Sequence, residues 1–338
     1  MTYREIIEKQ RSLLPPSCSW WPKYFYHFTN IENAFGIMEK GWIYGRNDAE
    51  YNNLMRTDNA SPSVISVSQN KIKEYARLYF RPRTPTQYNN EGYKPEHIRS
   101  ETNANCPVPV FFFLDSIAVL NTEGVQFSEV SCSGYRDINL MSGEKAFEQL
   151  PFEKIYHNRY FTLDERDDII THRHAEVVRL GGLSIRDSLK GIVCRSSAEK
   201  QTMLYVLRTK YPQLYAIYRN MIRYSPELDL FFNNGVFIKD VKFDEKSVRI
   251  ELNECSKRYG AEKSNGKDIS FRAEIHYLDD NENIIDRAVF SAPMDYGKHS
   301  LAGLDISKRK SDVAIVEVYF DNILMYANKL NFNMEYLL

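Results

Sequence analysis

The chain has 338 residues, of which 44 are Lys or Arg and 45 are Asp or Glu, so its formal net charge is −1. This balance excludes a globally basic nucleic-acid-binding protein, although it leaves room for a local basic cleft. The length predicts two domains. Because the sequence has no apolar run long enough to span a bilayer and no signal peptide, we expect a soluble protein.

The cysteines and aromatic residues narrow the class further. An odd number of cysteines without a CxxC pair predicts reduced thiols, a cytoplasmic location and no metal centre. The 23 Tyr and 19 Phe supply rings that can stack on bases or on nicotinamide, or pack in cores. The five cysteines are Cys18, Cys106, Cys132, Cys194 and Cys255.

The chain is predicted to begin with a helix, a strand and a second helix. Apolar residues near helical spacing indicate a helix over residues 3–14. The aromatic stretch YFYHFT, residues 24–29, alternates like a strand and carries His27. Asn30 is a suitable N-cap for the helix over residues 31–40.

A polar segment over residues 48–69 follows, and we expect it to be mobile, since long loops in compact domains tend to be functional. The next stretch, LYFRPRTPTQY, spans residues 78–88. It predicts a short strand and then a proline-restrained backbone that would hold Arg81 and Arg83 at low entropic cost, which suits a phosphate ligand. The alternative is a solvated turn.

The middle of the chain contains the most apolar run, PVPVFFFL, over residues 107–114, which predicts a buried central strand. A second strand is predicted over residues 125–130 and a helix over residues 142–150. The segment from Leu150 to Asp168 is rich in Tyr, Asn and Arg. We expect it to be a mobile loop that reads the substrate.

The stretch THRHAEVVRL, residues 171–180, contains one carboxylate between histidines and apolar residues. From His174 onward polar and apolar residues alternate, which predicts a half-buried strand. Side chains alternate faces on a strand, so Glu176 projects away from Ala175 and Val177. It then lies either in a cleft or simply in solvent.

The last third of the chain has a different pattern. A strand over residues 191–194 and a helix opened by Ser197 come first, and short alternating runs separated by turn residues follow Pro226. This pattern predicts an antiparallel β-sandwich of about 110 residues. We therefore divide the chain into residues 1–225 and 226–338.

Several catalytic motifs are absent: the sequence has no GxGxxG, P-loop, HExxH or GxSxG. His172 and His174 could bind a metal ion at strand spacing, but no further ligands complete the set, so we expect no metal site. The residues left to carry chemistry are His27, the Arg81–Tyr88 segment and Glu176.

Three stretches resemble the signature sequences of the DarT family, the nucleic-acid-modifying ADP-ribosyltransferases of bacterial toxin–antitoxin modules. They are YHFTNIENAFGIMEKG, LYFRPRTPTQY and HRHAEVV, and the similarity covers roughly residues 20–210. The resemblance implies an α+β fold with the split β-sheet of ADP-ribosyltransferases, here followed by the β-sandwich. It also implies NAD⁺ as substrate and a macrodomain-type, DarG-like antitoxin as partner.

The resemblance further implies roles for individual residues. Glu176 inherits the role of the catalytic glutamate, which stabilises the oxocarbenium-like charge on the ribose as nicotinamide leaves. Arg56, in NNLMRTDN, is the nearest match to the family's arginine before the YF segment, with Arg46 as the alternative. The residues expected to bind NAD⁺ are His27, Thr29, Arg81, Arg83 and Tyr88, where His27 holds the ribose, Arg81 or Arg83 faces the pyrophosphate and Tyr88 stacks on nicotinamide. The residues expected to bind the acceptor follow instead from the composition of the segment before the Glu176 strand, which offers rings for an unpaired base, a cation for a phosphate and an amide for a base edge: Tyr156, Asn158, Arg159 and Tyr160.

The resulting hypothesis is a cytoplasmic NAD⁺-dependent mono-ADP-ribosyltransferase that modifies a base in single-stranded DNA. It would act as the toxin of a toxin–antitoxin or phage-defence system. The stretch between the YF segment and Glu176 diverges from the family, so the choice of base stays open. Two alternatives remain: an enzyme that modifies RNA, and a non-catalytic protein that binds nucleic acid or a partner.

Overall fold

The fold is known from a computed structural model that describes residues 1–52, 54, 70–99, 104–133 and 139–333. In the described part up to Tyr224, the strands are β1 (Tyr24–Asn30), β2 (Trp42–Ile43), β3 (Tyr75–Tyr79), β4 (Pro109–Asp115), β5 (Val125–Ser128), β6 (Glu176–Leu180), β7 (Leu183–Ser184), β8 (Leu189–Cys194) and β9 (Ile222–Tyr224). The helices are α1 (Tyr3–Leu13), α2 (Ile31–Lys40), α3 (Arg46–Tyr51), α4 (Pro85–Asn90), α5 (Ser116–Leu120), α6 (Glu144–Glu148), α7 (Phe152–Ile155), α8 (Arg166–His172), α9 (Ser197–Lys210) and α10 (Pro212–Tyr218).

A seven-stranded mixed sheet organises this part of the chain, in the order β5-β6-β3-β1-β4-β8-β9. Strand β4 lies inside the sheet and is buried along almost its whole length, as its continuous apolar sequence predicts. It pairs antiparallel with β1 along all seven residues of β1, and with β8 on its other side. Strands β8 and β9 are parallel.

The sheet opens between β1 and β3. These two strands meet at the pair Tyr26↔Tyr79, whereas β3 stays paired with β6 from Tyr75↔Leu180 to Tyr79↔Glu176. Beyond Tyr26 the chain of β1 remains bonded to β4 and departs from β3. This opening is the split predicted for the ADP-ribosyltransferase fold.

The C-terminal part forms two further antiparallel sheets, as predicted. One has the order β10-β11-β14 and the other β13-β12-β15-β16, and buried residues of β12 and β15 alternate with more exposed ones. Their strands are β10 (Ile238–Phe243), β11 (Ser247–Leu252), β12 (Ile269–Leu278), β13 (Ile284–Met294), β14 (Leu301–Asp305), β15 (Val313–Phe320) and β16 (Ile323–Asn331).

The two parts are joined by packing and by buried polar contacts. Helix α9 packs against β16 and β10. The hydroxyl oxygen of Thr202 accepts a hydrogen bond from the backbone amide of Ala327, with 3.1 Å between the two atoms. Buried Glu91 accepts hydrogen bonds from the amides of Phe232 and Asn233, at 2.9 and 2.7 Å. The division at residues 225 and 226 stays a prediction.

Several local predictions are confirmed and others need correction. Asn30 caps α2, with its side chain accepting from the Glu32 amide, but Ser196 rather than Ser197 caps α9. The segment over residues 150–168 is not a plain loop, because α7 lies within it and α8 begins at Arg166. Strand β14 was not predicted.

Among the described residues, no helix is both long and apolar enough to cross a membrane.

Candidate active site

A cavity of about 210 Å³ lies in the opening between β1 and β3. His27 and Thr29 line it from β1, and Tyr75 and Arg77 line it from β3. Since the two strands separate after Tyr26↔Tyr79, the space between them is not closed by backbone pairing. The rest of the lining comes from α2, β2, α3 and the residues next to them: Asn33, Ile37, Trp42, Ile43, Tyr44, Arg46, Ala49 and Leu54.

The outer wall of the cavity is aromatic and is held close to β3. The Trp42 and Tyr44 rings stack with their centroids 6.3 Å apart and their planes at 22°. Gly45 then allows α3 to approach β3, because a Cβ at this position would lie 2.4 Å from the carbonyl carbon of Glu74. Such a wall suits a flat ligand ring.

Glu176 and Arg77 form a bidentate ion pair beside this cavity. The Nε of Arg77 donates to Oε2 of Glu176 at 2.7 Å and its Nη2 donates to Oε1 at 2.5 Å. The pairing of β3 with β6 sets Arg77 opposite Val178, so Arg77 and Glu176 share one face of the sheet as diagonal neighbours. Such a planar two-bond geometry is specific to arginine.

The carboxylate lies behind the arginine as seen from the cavity. Glu176 is 1% exposed, whereas the side chain of Arg77 is 30% exposed and lines the cavity. Burial alone would lower the pKa of Arg77, but the Glu176 carboxylate more than offsets this and the pKa is raised. The arginine therefore stays charged and can contact a bound molecule while the glutamate fixes its orientation.

Neutral groups surround the rest of the pair. Burial, and then the charge of Glu176, raise the pKa values of Tyr79 and Cys132. Burial lowers the pKa of His174, whose Nδ1 lies 3.2 Å from the Thr86 hydroxyl. The Arg77–Glu176 pair thus has Tyr79, Cys132 and His174 as uncharged neighbours at neutral pH, and in such surroundings electrostatic interactions are stronger than in water.

The structure brings together four of the residues that the sequence singled out. His27 and Thr29 line the cavity, and Glu176 is linked to it through Arg77. Arg46 also lines it, with its Nε 3.0 Å from Glu50. Arg56 lies outside the described residues.

Arg81 lies in a different environment from the cavity. It is 2% exposed, and its guanidinium lies 4.6 Å from the centroid of the Trp21 ring. Its donors bind the carbonyls of Pro82, Ile155 and His157. The guanidinium of Arg81, which was predicted to face a pyrophosphate, thus holds the backbone at the end of α7 and just after it.

Arg83 and Tyr88 also lie outside the cavity lining. Arg83 forms an ion pair with Asp229 and lies 4.8 Å from the centroid of the Phe232 ring. Tyr88 is 44% exposed and meets Phe232 edge to face. Both therefore sit on a surface shared with the segment that leads into the C-terminal part.

The four residues predicted to bind the acceptor divide into two pairs. Tyr156 is buried and stacks on Phe152, with planes 5° apart, and the Asn158 side-chain oxygen accepts from Arg81 Nη2 at 3.3 Å. Arg159 is exposed and Tyr160 is 91% exposed. Asn158, Arg159 and Tyr160 are thus exposed, but the side chain of Asn158 is held by Arg81.

Sequence reasoning missed Arg77 and the aromatic wall. The strand was predicted from Leu78, so Arg77 fell outside it, although it stands two residues before Tyr79 and alternates with Ala76 and Leu78. That alternation was a usable signal. His172 ends α8, so it does not share a strand with His174 as predicted. Among the described residues, the side chains close enough together to hold a metal ion are those of Glu274, His276 and Glu317 in the C-terminal sheet.

A split sheet whose opening holds a cavity, with a wall arginine ion-paired to a buried glutamate, agrees with the ADP-ribosyltransferase class implied by the sequence. The family model described as DarT, an ssDNA thymidine ADP-ribosyltransferase, matches residues 26–223. The chain belongs to the DarT family. It is an ADP-ribosyltransferase of the kind that acts on single-stranded DNA.

Solved structures that this chain matches include two of DarT from Thermus sp. 2.9. Its complex with NAD⁺ is 16% identical, and the match covers 62% of this chain and 98% of that one with a TM-score of 0.46. Its complex with ADP-ribosylated ssDNA is also 16% identical, and the match covers 62% of this chain and 97% of that one with a TM-score of 0.44. Thermosipho africanus DarTG in complex with ADP-ribose is 14% identical, with coverage of 66% and 53% and a TM-score of 0.46. No curated protein matches the chain.

The protonation state of His27 leads to a prediction about pH. Burial lowers its pKa from 6.5 to about 4, and a hydrogen bond with the Arg77 carbonyl oxygen, 3.2 Å from Nδ1, partly opposes this shift. With the proton on Nδ1, Nε2 is an acceptor for a ribose hydroxyl. We expect His27-dependent NAD⁺ affinity to be flat from about pH 8 to pH 5 and to fall below that.

The same shift fixes the sign for stability. Because the pKa is lower in the folded state, the unfolded chain binds the proton first, so the contribution of His27 to the free energy of unfolding is complete above 6.5 and is lost as the pH falls toward about 4. Calorimetric titration of NAD⁺ at several pH values checks the binding part, with His27→Gln as the control that keeps an acceptor but does not titrate. A wild-type affinity that halves near pH 6.5 would contradict the assignment.

Proposed function

We propose that Arg77 and Glu176 are the catalytic pair of this DNA ADP-ribosyltransferase and that the cavity between β1 and β3 binds NAD⁺. The observation that carries this proposal is the bidentate pair itself, with the arginine exposed to the cavity and the glutamate buried behind it. Burying charge costs free energy unless the charge is paired, and a charged group that faces a cleft with a perturbed pKa and a specific charge partner is a candidate for a functional site.

The reaction requires the pair to handle charge of both signs. The bond between ribose and nicotinamide breaks, and its electron pair leaves with nicotinamide, so positive charge develops on the ribose. A ring nitrogen of the acceptor base supplies the pair for the new bond and releases its proton to water. The Glu176 carboxylate stabilises the cationic sugar, and Arg77 stabilises the negative charge on the base as its proton departs.

The remaining cavity residues suit the parts of NAD⁺. His27 and Thr29 would hold the nicotinamide ribose, and the stacked Trp42 and Tyr44 rings would contact the nicotinamide. We transfer the stacking role from Tyr88 to these rings because Tyr88 packs on Phe232 instead. For the pyrophosphate, Arg46 fits better than Arg81 or Arg83 because it lines the cavity. Arg56 stays a prediction.

The biological role is proposed from the family. We propose that the acceptor is thymine, that DNA is preferred over RNA, and that the enzyme acts in the cytoplasm as a toxin neutralised by a macrodomain-type antitoxin. The description of the matching family as an ssDNA thymidine ADP-ribosyltransferase supports thymine as the modified base. We also propose that the region after residue 225 is an accessory domain.

Incubation with labelled NAD⁺ tests this function. The acceptors are single-stranded oligonucleotides with and without thymine, the matching duplex, the RNA equivalent and a protein mixture. We expect label in thymine-containing single strands, and much less in duplex, where exposing a base costs a few kcal/mol. Label that appears in RNA alone would show that the acceptor is RNA and not DNA. Equal label in oligonucleotides with and without thymine would show that thymine is not the modified base.

A further inference from the structure

An arginine and aromatic surface lies next to the catalytic pair and is not explained by NAD⁺ binding. We call it the platform and define it by Arg83, Tyr88, Phe161, Arg173 and Phe232. Arg83 lies 4.8 Å from the Phe232 ring centroid, and Arg173 lies 4.8 Å from that of Phe161. Tyr88 extends the surface, with its ring 5.1 Å from Phe232.

Positive charge on this surface exceeds the negative charge paired with it. Arg173 donates to the carbonyl oxygen and Nδ1 of His157, at 3.0 and 3.2 Å, rather than to a carboxylate. Burial and the neighbouring charge of Arg83 lower the pKa of Arg173. Asp229, which is 77% exposed, forms the ion pair with Arg83. The surface therefore attracts anions, and its planar cations and rings are of the type that bind single-stranded nucleic acid.

The backbone holds Arg83 in an unusual conformation. Its φ is 57°, in the left-handed region that residues other than glycine seldom adopt. The side-chain oxygen of buried Gln87 accepts from the Arg83 amide at 2.7 Å, and Gln87 in turn donates to the Leu230 carbonyl at 2.9 Å. Strain of this kind persists where surrounding structure fixes it, and it clusters at functional sites.

The platform combines residues from both parts of the chain beside the catalytic centre. Arg173 stands three residues before Glu176, and the next residue, His174, contacts Thr86. Phe232 and Asp229 lie beyond the stretch that matches the family model, which ends at residue 223. The segment leading into the C-terminal sheets thus completes a surface that the matched region begins.

We propose that the platform binds the nucleotides that flank the target base in single-stranded DNA, with phosphates at Arg83 and Arg173 and bases stacked on Phe232 and Tyr88. This inference rests on the proposed function. It assigns the segment after residue 225 a role in holding the DNA strand, so the enzyme binds long strands more tightly than short ones.

Binding without NAD⁺ provides the test, because it does not depend on catalysis. Fluorescence anisotropy compares an oligonucleotide of about 12 nucleotides with a trinucleotide that contains the same target. For Phe232→Ala we expect about five- to a hundredfold weaker binding of the long strand and little change for the short one. For Arg83→Ala we expect the slope of log affinity against log salt to fall by about 0.7, the value for one lost phosphate contact.

Asp229→Asn gives an effect of the opposite sign. It frees Arg83 for phosphate and removes a repelling charge, and asparagine tolerates the left-handed φ of 46° at this position. We expect tighter binding of the long strand. Arg219→Ala is the matched control, because Arg219 also lies over a ring, 5.6 Å from the centroid of Tyr215, but outside the platform.

The outcomes separate the platform from the proposed function. If the wild-type enzyme modifies single-stranded DNA while Phe232→Ala, Arg83→Ala and Asp229→Asn all bind the long strand like the wild type, the platform is wrong and the function stands. If the wild-type enzyme neither binds nor modifies DNA, both proposals fail. Equal losses in Arg219→Ala and Arg83→Ala would show a general charge effect and would also overturn the platform.

Discussion

The Glu176→Gln variant is expected to fold like the parent enzyme and to lose about a hundredfold to a thousandfold or more of its rate of ADP-ribose transfer. Glutamine has nearly the same shape and can still accept one hydrogen bond from Arg77, but it lacks the negative charge that stabilises the cationic ribose. Single-turnover transfer of labelled ADP-ribose to a thymine-containing oligonucleotide measures the loss. Thermal unfolding in parallel checks the fold.

A second buried pair supplies the matched control. Arg195 and Glu199 are also ion-paired and almost fully buried, but neither lines the cavity between β1 and β3. Burial raises the pKa of Glu199 to about 7, although Arg195 opposes this, so at neutral pH Glu199→Gln removes part of a negative charge from a buried pair outside the cavity. We expect it to keep transfer activity. A folded Glu176→Gln enzyme with near-parental rates would show that Glu176 is not the catalytic glutamate.

Replacement of Arg77 is expected to have the other large effect. Arg77→Ala removes the group that faces the cavity and leaves the 1% exposed carboxylate of Glu176 without its partner. Breaking a buried pair typically costs about 3–5 kcal/mol of stability, and we expect the lower end because Arg77 is 30% exposed. Transfer should fall at least as far as in Glu176→Gln.

Arg77→Lys separates the catalytic role from the loss of stability. Lysine keeps the charge and much of the packing, but it cannot form two parallel hydrogen bonds with the carboxylate. We expect a variant that melts close to the parent temperature, binds NAD⁺ with little change and transfers ADP-ribose at least tenfold more slowly. If Arg77→Lys is as active as the parent enzyme, Arg77 serves only to neutralise Glu176.

The sequence predicts the architecture because its elements have strong local signals. The continuous apolar run before Asp115 indicates a strand inside a sheet, and Asn30 and Gly41 set the two ends of α2. Alternation after Pro226 similarly predicts the antiparallel C-terminal sheets. These features follow from hydrophobic period and capping, which are properties of neighbouring residues.

Which arginine serves the site could not be predicted from such signals. Arg77, Arg81 and Arg83 are separated by few residues, and their roles depend on strand register and on the path of the chain after Tyr79. Pairing of β3 with β6 turns Arg77 toward Glu176, while Arg81 turns into the interior to bind the carbonyls near α7. Alternation can place Arg77 on a strand, but neighbouring residues do not show which strand β3 pairs with or where the chain turns after it.

The same limit applies to the aromatic residues. Tyr156 and Tyr160 belong to one short segment, yet the first is buried against Phe152 and the second is 91% exposed. Tyr44, which was not predicted to contact NAD⁺, lines the cavity because Gly45 lets α3 approach β3. Composition indicates that rings are available, but only tertiary packing decides which of them face a ligand.

A double-mutant cycle on the transfer rate tests the central claim, that Arg77 and Glu176 act as one catalytic unit. The single-turnover rates of the parent, Arg77→Lys, Glu176→Gln and the double variant are measured with the same oligonucleotide, and each protein is shown by thermal unfolding to be folded. Residues that act as a unit are strongly non-additive. We predict that the double variant transfers ADP-ribose about as fast as the slower single variant. A double variant whose loss equals the product of the two single losses would contradict the account.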